Sequence, residues 1–166
     1  GADAGAVRLY AADTEKLYLM THEGLSNEFV QRESEMNCSD CLCGDVIQSG
    51  MPVSFATASP PPGMKLRTCV REGFATACAF SVRYNRQRVG VFNLYFREER
   101  AVSAAESELL ETLGQHLGVA IENQRLRSRE RELAVSEERN LLAQELHDSI
   151  AQGLAFLNIQ VQLLQD

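Results

Sequence analysis

The sequence predicts an α+β fold: an antiparallel sheet with helices on one face, followed by a long C-terminal coiled-coil helix. Three observations predict it. Residues 75–84 and 88–96 are the strongest β-type runs in the chain, and only Asn85, Arg86 and Gln87 separate them, few enough for an antiparallel hairpin. Residues 7–11 and 16–21 repeat that arrangement around the turn sequence A-D-T-E. Finally, Ser103 and Glu106 form a capping box, and no Pro occurs between Val102 and the end.

Composition sets the outer limits. At 166 residues with 45% apolar content, the chain suits one packed domain plus an extended helix, which excludes wholesale disorder. A net charge of −7 argues against nucleic acid as a partner. No apolar run approaches the length of a membrane span.

Taken in order, Leu17 and Leu19 alternate with Tyr18 and Met20 in the second run, which predicts a strand at least partly covered on both faces. The polar stretch 25–36, with Leu25, Phe29 and Val30, predicts one short helix. A further short helix is predicted at 45–49, closed by Gly50 as its C-terminal cap. Pro52 precedes a strand at 53–56, and the Pro-rich stretch 59–63 predicts a stiff surface loop. Residues 65–73 predict about a turn of helix. In the last strand Phe92, Leu94 and Phe96 share one face and Val89, Val91 and Tyr95 the other, with Asn93 as a polar exception.

Beyond the capping box, Leu109, Leu110, Leu113, Leu117, Ala120 and Ile121 recur as one helical stripe. Residues 123–139 are dense in Arg and Glu, with Leu126, Leu133 and Val135 as the sizeable apolar anchors, the composition of a solvated coiled-coil linker. The apolar stripe resumes at Leu142, Leu146 and Ile150 and continues through Leu157, Val161 and Leu164. His147 and Asp148 stand beside it, and Gln152 lies one turn beyond Asp148. A neutral imidazole can attack a phosphoryl group, an adjacent carboxylate can orient it and take its proton, and an amide can hold a hydrolytic water. A solvated His–Asp pair on a coiled coil accounts for the same residue types.

The run E-L-H-D-S-I-A-Q-G-L at 145–154, preceded by Glu138 and Arg139, resembles the H-box helix of sensor histidine kinases. With Gln-Val and Leu-Gln downstream, it is similar to the nitrate/nitrite sensors of the NarX type. That resemblance implies three roles: His147 as phospho-acceptor, Asp148 as base and Gln152 as the residue positioning water for phosphatase action on a response regulator. It also implies a homodimer, ATP and magnesium in the full-length kinase, and a cytoplasmic portion of an inner-membrane bacterial protein. The chain carries no Gly-rich nucleotide motif, so the expectation is an excised middle of a larger protein that is inactive alone.

The segment G-D-V-I-Q-S-G-M-P-V-S-F at 44–55 and the strand V-G-V-F-N-L-Y-F at 89–96 resemble a GAF domain. The division expected is a GAF-like sensor or regulatory domain at 1–122, a signalling linker at 123–139 and the first helix of the phosphotransfer hairpin at 140–166. The alternative function is a ligand-, metal- or redox-sensing module whose terminal helix only dimerises.

Five cysteines complete the inventory. Cys38, Cys41 and Cys43 give C-x-x-C-x-C, a spacing suited to zinc or an iron–sulfur cluster, with Cys69 or Cys78 as a fourth ligand. Reversible thiol chemistry and ordinary buried thiols are the other readings. The arginines at 67, 71, 83, 86 and 88, with Lys65, form either an anion site or a solvated charged face.

Overall fold

The computed structural model describes residues 1–59 and 67–163, with backbone only for Arg67, Asp148, Ala151, Gln152 and 154–163. The proline-rich loop expected at 59–63 therefore lies almost entirely outside the described residues. The chain divides into two compact units, Gly1–Glu122 and Asn123–Asp166.

The first unit is built on six antiparallel strands: β1 (Ala4–Ala11), β2 (Lys16–Glu23), β3 (Glu35–Asn37), β4 (Val53–Ala56), β5 (Thr76–Tyr84) and β6 (Gln87–Phe96). They are ordered β3-β2-β1-β6-β5-β4. Both expected hairpins form. The β5–β6 connection is tighter than expected, with Asn85 and Arg86 alone at the turn at φ 45° and 66°, as a type I′ turn requires. Strand β2 is covered on one side only: Leu17 is fully buried, whereas Tyr18 and Met20 are 38% and 44% exposed.

Helices cover both faces of the sheet, not one. On one face lie α1 (Asn27–Glu33), α2 (Leu42–Ser49) and α3 (Arg67–Arg71). Their core joins Phe29, Val46 and Ile47 to Ala4, Ala6, Ala77, Ala79, Val91 and Tyr95. On the other face Leu110, Leu117 and Ile121 of α4 (Ala104–Leu163) meet Cys78, Phe80, Val82, Phe92 and Phe96. Burial throughout 76–82 follows, because both sides of β5 are covered. A bulge between Val82 and Arg83 breaks the alternation, so Val89 packs with Phe92 and not with Val91 and Tyr95.

Helix α4 lies close against β5 because two glycines face it. A Cβ on Gly114 would come 2.3 Å from the Ser81 carbonyl oxygen, and one on Gly118 would come 2.0 Å from that of Arg83. The capping box starts the helix as expected: the Ser103 hydroxyl accepts from the Glu106 amide at 3.3 Å, and Glu106 Oε2 accepts from the Ser103 amide at 2.9 Å. Of the expected stripe, Leu109 and Leu113 stay 69% and 44% exposed.

Candidate functional site

The cysteine segment folds into a 3₁₀ turn, Cys38–Asp40, that leads directly into α2. The helix starts three residues earlier than expected because Cys41 is its N-cap, its sulfur accepting from the Cys43 amide at 3.4 Å. Gly44 lets the turn close: a Cβ there would stand 1.7 Å from the Cys38 carbonyl oxygen. At the far end Gly50 caps α2 at φ 74°, as expected. Arg83 donates to the Gly50 carbonyl and Arg88 to that of Gln48, so these two arginines cap a helix.

Cys43 is buried, 3% exposed, and faces the central strands. The Asn93 side-chain amide donates to its sulfur at 3.2 Å, which explains the polar exception in β6. Arg8, on the same face of β1, is 1% exposed, and its positive charge acts on the Cys43 thiol. Beyond that sulfur, Arg8 reaches the Glu33 backbone carbonyl at 3.3 Å and the Glu33 carboxylate at 3.8 Å. Its Nε has no hydrogen-bond partner.

The electrostatics follow from this packing. A hydrogen bond from Cys41, then Arg8 and Asn93, outweigh burial and lower the Cys43 thiol to about 6. Cys41 moves the opposite way, raised first by that hydrogen bond and then by burial. Burial pushes Cys69 up to about 12 and raises Cys38 and Cys78 as well. Cys78 lies on the α4 face, beside the Ser54 hydroxyl at 3.2 Å, so it is no partner to the others. A pocket of about 270 Å³ opens beside Cys41 and Cys69, walled by Arg32, Glu33, Met36 and Thr68 among others.

This arrangement does not fit the metal expected at Cys38, Cys41, Cys43 and Cys69. Among the described residues no group of three or more His, Cys, Asp or Glu side chains is placed to hold a metal ion. The physical reason is Arg8: a buried guanidinium already supplies the positive charge next to Cys43, where a cation would otherwise stand. Sequence reading missed Arg8, although a lone charge within an apolar strand was visible.

His147 lies on α4 in the second unit with an exposed side chain, and Asp148 and Gln152 follow on the same helix. Only the backbone is described for those two, and their spacing puts Gln152 one turn beyond Asp148.

The sheet order, the two helical layers and the match of a family model described as "GAF domain" to residues 1–122 agree: this chain belongs to the GAF domain family. A second model, described as "Histidine kinase", matches residues 138–166. The nitrate/nitrite sensor protein NarX of Escherichia coli (strain K12) is 37% identical over 76 residues, 46% of this chain and 13% of NarX. The chain thus spans a small part of that relative.

Two solved structures share the fold. The GAF domain of an Acinetobacter phosphoenolpyruvate-protein phosphotransferase matches with a TM-score of 0.65 at 22% identity, over 77% of this chain and 75% of its own. The GAF domain of a two-component sensor histidine kinase from Bacillus halodurans matches with 0.63 at 18%, over 77% and 86%.

Proposed function

We propose that this chain is the signal-transmitting segment of a two-component nitrate/nitrite sensor histidine kinase. In this reading residues 1–122 form the regulatory domain, 123–139 the signalling linker and 140–166 the first helix of the dimerisation and phosphotransfer hairpin. The observation that carries it is the histidine kinase match at 138–166, centred on an exposed His147 followed by Asp148 and Gln152.

His147 accepts the γ-phosphoryl group of ATP. Asp148 orients the imidazole and takes its proton, and Gln152 positions the water that dephosphorylates the response regulator. ATP and magnesium bind outside this chain, which carries no Gly-rich phosphate loop. Exposed Leu126, Leu133, Leu142, Leu146 and Ile150 supply the surface for a parallel homodimer. The whole protein is placed at the inner membrane, with this segment in the cytoplasm. Among the described residues no helix is long and apolar enough to cross a membrane.

The test is phosphorylation in the full kinase with labelled ATP. Wild type should gain acid-labile phosphate, and His147→Gln should gain none. Phosphate retained by the variant would refute the assignment of His147.

A further inference from the structure

Arg83 touches the helices on both faces of the sheet. On one face its guanidinium donates to the Gly50 carbonyl at the C-terminal cap of α2, and its Nε donates to the Ser81 hydroxyl at 3.0 Å. On the other its backbone carbonyl bears on α4, where a Cβ at Gly118 would come 2.0 Å from the oxygen. Ser81 repeats the pattern: its hydroxyl receives Arg83, and its carbonyl oxygen would lie 2.3 Å from a Cβ at Gly114. A helix that meets a sheet through side chains has rotamers to absorb a small shift. Here α4 meets backbone directly, and that buffer is missing.

The pairing of β5 leaves residue 83 dependent on these contacts. Strand β4 pairs with β5 from Thr76 to Ala79 and no further. On the β6 side the register shifts between Val82 and Arg83, which interrupts the ladder at that point. Arg83 and Arg88 stand opposite one another in this register, a pairing of like charges that by itself destabilises a hairpin. Both guanidiniums turn instead to the carbonyl end of α2, Arg83 to Gly50 and Arg88 to Gln48. The end of the hairpin is thus fastened by α2 as well as by the sheet.

We propose that Arg83 is a mechanical link between α2 and α4, through which a displacement at the C-terminal end of α2 changes the seating of α4 on the sheet. With its guanidinium on the Gly50 carbonyl, residue 83 is held, and Gly118 has one seat against it. When the end of α2 moves or frays, the guanidinium loses its acceptor. The peptide at residue 83 is then freed beside the bulge, and α4 shifts at Gly118. Because α4 is one helix from Ala104 to Leu163, such a shift enters the helix that continues past the first unit. The link lies within the first unit and does not rest on the proposed phosphotransfer.

The experiment measures the unfolding constant by chemical denaturation when Gly118→Ala is added to wild type, to Arg83→Met and to Arg88→Met. In Arg83→Met residue 83 yields to the new methyl group, so the increase in the unfolding constant should be at least about fivefold smaller than in wild type. Arg88→Met removes a cap from α2 but leaves the arm of Arg83 in place, so there the increase should stay within about twofold of its wild-type size. Full additivity in Arg83→Met would overturn the proposal, and so would equal relief in the two backgrounds. Hydrogen exchange of the two arginine variants provides a second measurement that needs no glycine substitution. Arg83→Met should speed exchange at 46–50 and at 114–121 together, and Arg88→Met at 46–50 alone. Faster exchange confined to 46–50 in Arg83→Met, or spread evenly over the first unit, would overturn the link as well.

Discussion

Asn93 and Cys43, fifty residues apart in sequence, meet in the core, where the asparagine amide donates to the cysteine sulfur at 3.2 Å. The contact ties β6, a central strand, to the first turn of α2. A hydrogen bond to an ionised acceptor is worth about 1.5–3 kcal/mol, a neutral one about 1. A double-mutant cycle with Asn93→Ala and Cys43→Ala, read by chemical denaturation, should therefore give a coupling of about 1.5–3 kcal/mol. A coupling below about 0.5 kcal/mol would mean that the pair contributes packing alone.

The glycine pair in α4 makes a steric prediction. Gly114→Ala and Gly118→Ala each place a methyl group against backbone, at 2.3 Å and 2.0 Å, and backbone cannot turn aside as a side chain can. Each should destabilise the first unit by about 1–3 kcal/mol, by overpacking. Gly153→Ala is the control, since nothing lies within 4 Å of a Cβ there, and it should raise helix stability by up to about 1 kcal/mol. Denaturant midpoints of the three variants check both claims.

Acid should loosen the start of α4. Backbone and hydroxyl hydrogen bonds from Ser103, and then Arg100, hold the Glu106 carboxyl at about 2, below its ordinary 4.5. A carboxylate lowered by folding stabilises the folded state fully above its ordinary value. That contribution falls away as pH drops from about 4.5 towards about 2. Carboxyl NMR titration should find a midpoint near 2 for Glu106, and Glu106→Gln should remove this part of the acid dependence. A titration midpoint near 4.5 would contradict the cap geometry.

The sheet was legible in sequence where strands are long and alternate. Strand β3 was not, because it is three residues long and forms only by pairing Glu35, Met36 and Asn37 with Tyr18, Leu17 and Lys16. The second helical layer had a signal that went unread: the unbroken run T-A-C-A-F-S-V at 76–82 has no polar face to leave in water. The N-cap of α2 was hidden because Cys is an unusual cap and C-x-x-C-x-C invites a metal reading. The thiol site depends on Arg8 and Asn93, single polar residues in apolar strands. Pattern marks them as exceptions, and only the β1–β6 pairing brings them to one cysteine. At the H-box the reverse holds, because spacing on one helix carries the whole constellation.

Gln152 separates the two activities proposed for the kinase. Gln152→Ala keeps His147 and Asp148 but removes the group proposed to position water. Autophosphorylation of the full protein should stay within about twofold of wild type, while regulator dephosphorylation falls by about tenfold or more. Equal loss of both would show that the residue supports the helix and not the hydrolysis.

The linker offers the last test. One helix, Ala104–Leu163, runs through the boundary between the two units at Glu122 and Asn123. Its stretch 123–139 has few apolar anchors, and Leu126, Leu133 and Val135 are 43%, 64% and 50% exposed. The coiled coil proposed for this stretch would be weakly specified, with alternative registers that differ little in energy, which is what a switching element requires. Replacing polar residues on the Leu126–Leu133 face with Leu should strengthen pairing, seen as a dimer dissociating at lower concentration in sedimentation. In the full protein the same variants should hold kinase and phosphatase activities at one fixed ratio, whether nitrate is present or not. If pairing strengthens and the response to nitrate stays normal in every variant, the linker only tethers, and the signal passes by another route.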